Sequence, residues 1–159
     1  MTAALRRVRP TDLPLIDSWR RDPEMEGPFN DFGLPPVKAS VQGNLLLVET
    51  DGVPVGTVSW QEVRYGPNDE SRAVNIGIAL VPSARGQGHG AVAQRMLAAY
   101  LFRTTSVNRV EASTDVENIA EQRALERAGF TREGVIRGAQ YRAGAWHDLV
   151  GYSRLRGDP

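Results

Sequence analysis

Cysteine is absent from this chain of 159 residues, and histidine occurs only twice, as His89 and His147. Without cysteine the chain has no disulfide bonds, no thiolate metal ligands and no route to a covalent cysteine intermediate. Two histidines are too few for an ordinary zinc site. We therefore expect no metal in the function of this protein.

An excess of charge of either sign is also missing, since 19 Lys and Arg residues balance 19 Asp and Glu residues. No overall field therefore directs the protein toward nucleic acid or an anionic membrane, and a bound polyanion needs a local site. No apolar run approaches the length of a membrane span, and the N-terminus does not resemble a signal peptide, which predicts a cytoplasmic location. The length and the 41% apolar content predict one domain over residues 1–159.

The most informative segment is ARGQGHG, residues 84–90, which joins an apolar strand to a helix predicted over residues 88–103. Gly86, Gly88 and Gly90 carry no Cβ atom, so successive backbone N–H groups can approach an anion closely. The helix that follows directs its unsatisfied N-terminal donors and the positive end of its dipole at the same place. A flexible connection rarely needs so many glycines beside an arginine, so the segment predicts a pyrophosphate site.

Apolar runs and turn signals predict seven strands and three helices. The strands are expected around residues 5–9, 44–50, 53–63, 73–81, 108–114, 130–144 and 145–156, and the helices around residues 12–22, 88–103 and 118–128. Residues 23–36 are rich in proline and acidic residues, which predicts a loop with at most short turns. Asp51-Gly52 signals a hairpin, so three antiparallel strands in sequence should precede the glycine turn.

One interpretation of the glycine turn is a dinucleotide site. Gly86-x-Gly88-x-x-Ala91 satisfies the dinucleotide fingerprint, and Glu111 stands at the spacing of an acid that binds a ribose. This alternative predicts an NAD(P)-binding oxidoreductase. Against it, residues 82–85 separate the strand from the turn, and hairpins join the preceding strands where a doubly wound parallel sheet needs helices.

The other interpretation rests on a family resemblance. The motif RGQGHG, residues 85–90, resembles the Q/R-x-x-G-x-G/A signature of the GNAT superfamily of N-acetyltransferases, which bind acetyl-coenzyme A. The preceding IGIALV and the downstream DVENIAEQRALERAGF look like the cofactor motif and following helix of the RimJ/RimL-like subgroup, which acetylates ribosomal-protein N-termini and small amines. The resemblance extends from about residue 46 to 155, and its specific part is confined to residues 76–130.

The resemblance implies an α/β (α+β) fold with a mixed, mostly antiparallel sheet of six to seven strands. Helices would cover both faces, and the sheet would splay between strands 4 and 5. The implied activity is direct transfer of an acetyl group from acetyl-coenzyme A to a primary amine in a ternary complex.

Three coenzyme contacts are implied by the resemblance. The backbone of Ile78, Ala79 and Leu80 would bind the pantetheine arm as an added strand does, with the thioester carbonyl near the Leu80 amide. Asn118, which opens the third predicted helix, would bind the pantetheine or serve as an ordinary helix N-cap. The pyrophosphate would be held by the turn residues Arg85, Gly86, Gln87, Gly88, His89, Gly90 and Ala91.

The chain departs from the family pattern at two positions. Many members have a glutamate on the fourth strand where this chain has Asn75, and many have a tyrosine at the position of Leu125. The tyrosine would protonate the leaving thiolate, so here either another group donates that proton or the thiolate leaves unaided. The two departures also leave open a third class, a sensor that binds acetyl-coenzyme A without catalysis.

A carboxylate is the usual general base for such a transfer, because the amine must lose a proton. Candidates are Glu111 on the fifth strand, Asp148 in the last strand, and Glu24, Glu26 and Asp31 in the acidic loop. For Glu111 a solvent-facing strand residue is an equal alternative, and for Asp148 a turn or ladder hydrogen bond is the alternative.

The expected acceptor is a small-molecule amine or a peptide N-terminus, and its identity is not encoded in any motif. In this family the acidic loop over residues 23–36 would form one wall of the acceptor pocket. Pairing of C-terminal strands at the sheet edge suggests a homodimer.

Overall fold

The computed structural model describes residues 3–159, which form a seven-stranded sheet with four helices. The elements are β1 Ala3–Arg7, α1 Leu13–Arg20, α2 Pro23–Glu26, β2 Leu45–Thr50, β3 Val53–Arg64, β4 Arg72–Leu80, α3 His89–Thr104, β5 Arg109–Asp115, α4 Ile119–Arg127, β6 Thr131–Arg142 and β7 Ala145–Leu155.

The strands lie in the order β1-β2-β3-β4-β5-β7-β6. Every neighbouring pair is antiparallel except β4 and β5, which run parallel. The predicted mixed and mostly antiparallel sheet is confirmed. A doubly wound parallel sheet is excluded, because β2, β3 and β4 are joined in sequence as antiparallel neighbours.

The parallel pairing of β4 and β5 is short. It consists of Val74 beside Val110 and Asn75 beside Glu111, whereas β3 pairs with β4 along its whole length up to Leu80. The C-terminal half of β4 therefore has one open edge, on the side of β5. This opening is the predicted splay between the fourth and fifth strands.

Two apolar clusters cover the two faces of the sheet. The larger cluster lies between the sheet and helices α3 and α4, and Leu97, Leu101 and Leu125 in it are fully buried. The smaller cluster joins Ile16 of α1 to Leu47 of β2 on the other face. Because α1 and α2 are short, this second face is only partly covered, and clefts form there.

The first strand differs from the sequence expectation, whereas the loop after α1 holds only one short helical turn, as expected. Strand β1 ends at Arg7 and not at Arg9, because the Arg9 N–H donates to Asp12 Oδ2 at 2.7 Å and so belongs to the following turn. Residues Pro23–Glu26 form the short helix α2, which Asp22 caps by accepting from the Glu24 N–H at 2.9 Å. Within residues 3–159, no helix is both long and apolar enough to cross a bilayer.

Candidate active site

The glycine turn between β4 and α3 has the conformation that only glycine adopts freely. Gly86 and Gly88 have φ of 73° and 85°, in the left-handed region. A Cβ atom built on either residue would meet no heavy atom within 4 Å, so the space in front of the turn is open. The turn therefore presents backbone to a cleft with no side chain of its own in front.

The helix N-terminus after this turn is free to bind an anion. Gly88 supplies no side-chain cap, and the helix has no acidic residue in its first turn. The Val92 N–H makes the first intrahelical bond, to the Gly88 carbonyl at 3.3 Å. The N–H groups of the residues before Val92 therefore have no helical acceptor, and together with the helix dipole they favour a phosphate.

The open edge of β4 offers its own donors and acceptors. The Val81 N–H donates to the Val55 carbonyl at 2.8 Å, and main-chain groups in an antiparallel pair alternate in direction from residue to residue. The main-chain groups of Leu80 and Ile78 therefore face away from β3, toward the opening. Those of Ala79 face β3, so Ala79 contributes to this edge only by position.

Gly56 on β3 allows the end of β4 to lie this close. A Cβ atom on Gly56 would come within 2.1 Å of the Ala79 carbonyl oxygen and 2.9 Å of the Leu80 Cα. Both atoms belong to the backbone and cannot rotate aside. The position of the β4 edge thus depends on the absence of a side chain at residue 56.

A cleft of about 470 Å³ joins the glycine turn, the β4 edge and α4. We call it the coenzyme cleft, after the ligand that the family resemblance implies. Its basic lining residues are Arg85, Arg123 and Arg127. The Arg85 side chain is already engaged, because its Nε donates to the Leu80 carbonyl at 3.0 Å and its Nη2 to the carbonyls of Glu24 and Met25 at 3.1 Å. Arg85 therefore connects the turn to α2.

Asn118 lines the coenzyme cleft and also caps α4. Its Oδ1 accepts from the Glu121 N–H at 3.3 Å, and its Nδ2 donates to Thr114 Oγ1 at 3.1 Å. The N-cap alternative is therefore present in the structure. An amide side chain carries two N–H donors, and only one of them is used in the bond to Thr114.

Two residues of the predicted coenzyme set do not line the cleft. Gln87 donates from Nε2 to the Ser83 carbonyl at 2.6 Å, so its side chain closes the turn on the far side. His89 is 6% exposed and is absent from the cleft lining, so its side chain is not placed to hold the pyrophosphate as the resemblance implies. The left-handed Gly88 reverses the chain there, and the first residue of α3 points inward.

A second cleft, of about 750 Å³, lies on the face covered by α1 and α2. We call it the acceptor cleft. It shares five lining residues with the coenzyme cleft: Met25, Glu26, Asn30, Ile78 and Ala79. The two clefts therefore meet at the end of β4.

The acidic loop that separates the clefts is fixed by Arg142, a residue that sequence reasoning missed. Arg142 is 3% exposed, donates from Nη1 to Asp31 Oδ1 at 2.8 Å and also donates to Asp115 Oδ2. Its guanidinium lies 5.9 Å from the centre of the Phe29 ring. The hydrogen bond from Arg142 lowers the pKa of the Asp31 carboxyl. Asp31 therefore holds the loop in place and is not free to act as a base.

Asn75 and Glu111 line a third cavity of about 300 Å³, which shares no lining residue with the other two. Glu111 is 9% exposed, and its Oε2 accepts from Tyr65 Oη at 2.6 Å and from Arg109 Nε at 2.7 Å. The hydrogen bond from Tyr65 to Glu111 is the main reason that the pKa of Tyr65 is raised. Asn75 and Gly77 are two positions apart on β4 and so lie on the same face of the strand, where Gly77 lines the acceptor cleft.

Asp148 lies in the β6–β7 hairpin with an exposed side chain. Its Oδ1 accepts from the Gly138 N–H at 2.7 Å, where the register between the two strands is irregular. The carboxylate therefore accepts from a backbone N–H at an irregular point of the hairpin. A structural hydrogen bond of this kind was the alternative to a catalytic role for Asp148.

Glu111→Gln and Asp148→Asn are expected to differ in stability. Glu111→Gln removes the charge that Tyr65 and Arg109 both bind in a buried setting, so the free energy of unfolding should fall by about 1–2 kcal/mol. Asp148→Asn keeps an oxygen for Gly138 at an exposed site, and its effect should stay within about 0.5 kcal/mol. Urea unfolding of both variants measures the difference. Equal effects would contradict the structural role given to Glu111.

Glu121 and Gln94 were not recognised in the sequence. Glu121 stands in the first turn of α4, where an acidic residue is commonly only a partner of the helix dipole. In the structure it lines the coenzyme cleft, and burial raises the pKa of its carboxyl to about 7, against the opposing effect of a hydrogen bond to Gln94. Gln94 is 1% exposed in α3 and donates to the Gly90 carbonyl at 3.2 Å. Only the fold brings the two residues together.

Across residues 3–159, no three His, Asp or Glu side chains come together in a way that would hold a metal ion.

Comparison with known proteins gives a family match. The family model described as Acetyltransferase (GNAT) domain matches residues 3–131. The chain is 33% identical over 142 residues to the putative ribosomal N-acetyltransferase YdaF of Bacillus subtilis, covering 89% of this chain and 67% of that protein.

Solved structures give the same fold. A structure of the RimL ribosomal-protein alpha-N-acetyltransferase in complex with coenzyme A superposes with a TM-score of 0.79 at 23% identity, over 97% of this chain and 94% of that chain. A structure of spermidine N-acetyltransferase from Vibrio cholerae with coenzyme A and spermine superposes with a TM-score of 0.78 at 18% identity. The superposition covers 98% of this chain and 96% of that chain. At these identities the two structures bear on the fold alone.

Proposed function

Because the chain belongs to the GNAT acetyltransferase family and is therefore an acyltransferase, we propose that it transfers the acetyl group of acetyl-coenzyme A directly to a primary amine. The transfer takes place in a ternary complex, without an acyl-enzyme. Residues 1–159 act in it as a single N-acetyltransferase domain.

The observation that carries this proposal is the meeting of the two clefts at the end of β4. A thioester in the coenzyme cleft and an amine in the acceptor cleft would both lie beside Ile78 and Ala79, which line both clefts. Placing two reactants side by side supplies much of the rate enhancement in such a transfer. The Leu80 N–H, which faces the opening, is a suitable donor for the carbonyl oxygen as negative charge develops on it.

The residues present fit coenzyme A. Gly86 and Gly88 leave the space in front of the turn open, and the uncapped α3 N-terminus supplies N–H donors for a diphosphate. Arg123 and Arg127 on the cleft wall add positive charge. The open edge at Ile78 and Leu80 can bind the amide groups of the pantetheine arm.

Glu26 is the carboxylate we propose as general base. It is the only one of the five sequence candidates that lines both clefts. The others are engaged or turned away: Glu111 binds Tyr65 and Arg109, Asp148 binds Gly138, Asp31 binds Arg142, and Glu24 lines neither cleft. An exposed carboxylate at the junction can take the amine proton directly or through water.

Glu26→Gln is expected to lower kcat at neutral pH by about 10- to 100-fold, because the amide cannot accept the amine proton. Glu24→Gln, on the same short helix, is the matched control and should leave kcat within about 2-fold. Thiol release with saturating acetyl-coenzyme A measures both. If the two variants are equally active, Glu26 is not the base.

Two measurements test the proposed function itself. Isothermal calorimetry should show that coenzyme A binds and that NAD and NADP do not. Thiol release from acetyl-coenzyme A should then rise on addition of an amine from a set of amino acids, polyamines, aminoglycosides and short peptides. Absence of coenzyme A binding would overturn the proposal, and binding without transfer to any amine would favour the sensor alternative.

We propose that the acceptor is a small amine or the N-terminus of a peptide. The acceptor cleft is lined by the carboxylates of Asp22 and Glu26, by Arg20 and Arg21, and by the exposed apolar side chains of Leu34 and Val37. Charges of both signs beside apolar side chains suit an amine carried on a peptide or on another chain with apolar parts, with Glu26 nearest the donor as the partner of the amine. RimL, named for a ribosomal-protein N-terminus, and the spermidine enzyme are examples of both classes in this fold.

Homodimer formation through the C-terminal strands stays a prediction. In the sheet order, β6 lies at one edge. Val135 and Ile136 on it are 48% and 47% exposed.

A further inference from the structure

Acetyl transfer from a thioester leaves a thiolate, and the residue at the family's tyrosine position cannot protonate it. Leu125 stands there and is fully buried in the core between the sheet and the helices. The question is then which group in this chain can deliver a proton to the sulfur.

The lining of the coenzyme cleft leaves few candidates. Among the described residues that form it, the side chains that carry a proton able to leave near neutral pH are Glu26 and Glu121, since no Ser, Thr, Tyr, Cys, His or Lys is present. Glu26 is exposed at the junction of the two clefts, whereas Glu121 is partly buried inside the coenzyme cleft. Two carboxyl groups in such different surroundings are suited to opposite roles, one as base and one as acid.

Glu121 lines the same cleft as the end of β4, since Ile78, Leu80 and Glu121 all belong to its wall. Its carboxyl has a hydrogen bond to Gln94, whose Nε2 donates to the Gly90 carbonyl at 3.2 Å in the first turn of α3. Asn118, the N-cap residue of α4 one helical turn before Glu121, lines the same cleft.

We propose that the protonated carboxyl group of Glu121 donates its proton to the leaving sulfur. This step rests on the function proposed above. The amine nitrogen forms a bond to the carbonyl carbon, the carbon–sulfur bond breaks, and the sulfur electron pair takes the Glu121 proton. The products are the amide, the free thiol of coenzyme A and the Glu121 carboxylate, while the amine proton leaves through Glu26 or water, and Glu121 regains a proton from solvent.

The electrostatic setting of Glu121 supports this role. Burial keeps its carboxyl protonated up to a pKa of about 7, so a proton is present at neutral pH. The other charged groups on the walls of the cleft are Glu26, Arg85, Arg123 and Arg127. The Arg85 side chain is occupied by three backbone carbonyls, so it is not available to hold Glu121 in its charged form.

The first test uses the free protein. Carboxyl carbon NMR of glutamate-labelled protein should show one resonance that titrates near neutral pH and is lost in Glu121→Gln. Glu117→Gln, an exposed residue just before α4, is the control and should keep that resonance. If the resonance is missing from the wild type or survives in Glu121→Gln, the assignment is wrong.

The second test is kinetic. Glu121→Gln should lower kcat by about 10- to 100-fold while the Kd for coenzyme A changes by no more than about 3-fold. The wild-type rate should fall as pH rises through the pKa of Glu121, because only the protonated form acts, and this fall should be absent in Glu121→Gln. Unchanged turnover, or a Kd that weakens as much as kcat falls, would overturn the proposal.

The controls separate this inference from the proposed function. If the wild type acetylates an amine and Glu121→Gln is equally active, only the role of Glu121 fails. If the wild type releases no thiol with any amine, the proposed function fails first.

Discussion

Gly88→Trp is expected to abolish binding of coenzyme A while the protein stays folded. The indole would project into the open space in front of the turn, where a Cβ atom on Gly88 meets no heavy atom within 4 Å. The diphosphate would lose access to the α3 N-terminus and its charge-assisted hydrogen bonds, so Kd should rise by about 100-fold or more. Calorimetry with coenzyme A measures this change directly.

The backbone cost of this substitution can be separated from the steric effect. Any residue other than glycine at φ of 85° costs about 1–2 kcal/mol, which a domain of ordinary stability survives. Gly52→Trp is the matched control, because Gly52 has φ of 78°, open space around its Cβ position and a place in the β2–β3 turn. Gly52→Trp should lose about as much stability as Gly88→Trp through its backbone and should bind coenzyme A normally. Normal binding by Gly88→Trp would refute the placement of the diphosphate.

Arg142→Met is expected to be the most destabilising single change near the site. Arg142 and its partner Asp115 both have side chains that are 3% exposed, so the substitution leaves a buried carboxylate with its main ion partner gone. Loss of one member of a buried pair costs about 3–5 kcal/mol. For a domain of this size the melting temperature should fall by roughly 10 °C, measured by circular dichroism.

Two controls test the cause of this loss. Arg137→Met, on the same strand at an exposed position, should change the melting temperature by no more than about 2 °C. Combining Arg142→Met with Asp115→Asn removes the stranded charge and should recover part of the stability. If the losses of stability caused by Arg142→Met and Asp115→Asn simply add in the double variant, the interaction between the two side chains contributes little to stability. Because Arg142 also holds Asp31, the single variant should weaken acceptor binding more than coenzyme binding.

The fold and the backbone conformation of the glycine turn were predictable because their signals are local. Glycines at 86 and 88 report directly on backbone conformation, and the Asp51-Gly52 turn sets the antiparallel order of the strands before them. Alternation and turn residues place most strand ends within one or two positions of the structure. Strand β1 was misplaced because a capping bond made by Asp12, and not the apolar pattern, ends it.

The residues around the chemistry were predictable only in part, since their roles depend on contacts between distant segments. Arg142 and Asp31 are 111 positions apart, and nothing local to either indicates the pair. From the sequence, Glu111 is equally consistent with a solvent-facing strand residue. Its hydrogen bond with Tyr65 joins residues 46 positions apart, and no local pattern indicates that contact. Glu121 has the appearance of a routine helix-dipole residue until the cleft around it is known. Of the acidic loop residues, only the fold shows that Glu26 stands where both clefts meet.

The close approach at Gly56 has a consequence for how such a protein can change over evolutionary time. The surface that would handle the donor is built from main chain, and its position requires glycine at residue 56, where a Cβ atom would come within 2.1 Å of the Ala79 carbonyl oxygen. Mutations there disturb folding before they can alter selectivity. The opposite wall is made of exposed side chains on a loop, which tolerate replacement one at a time. Substitutions in that loop can therefore change which amine is accepted, while the main chain that would bind the donor stays unchanged.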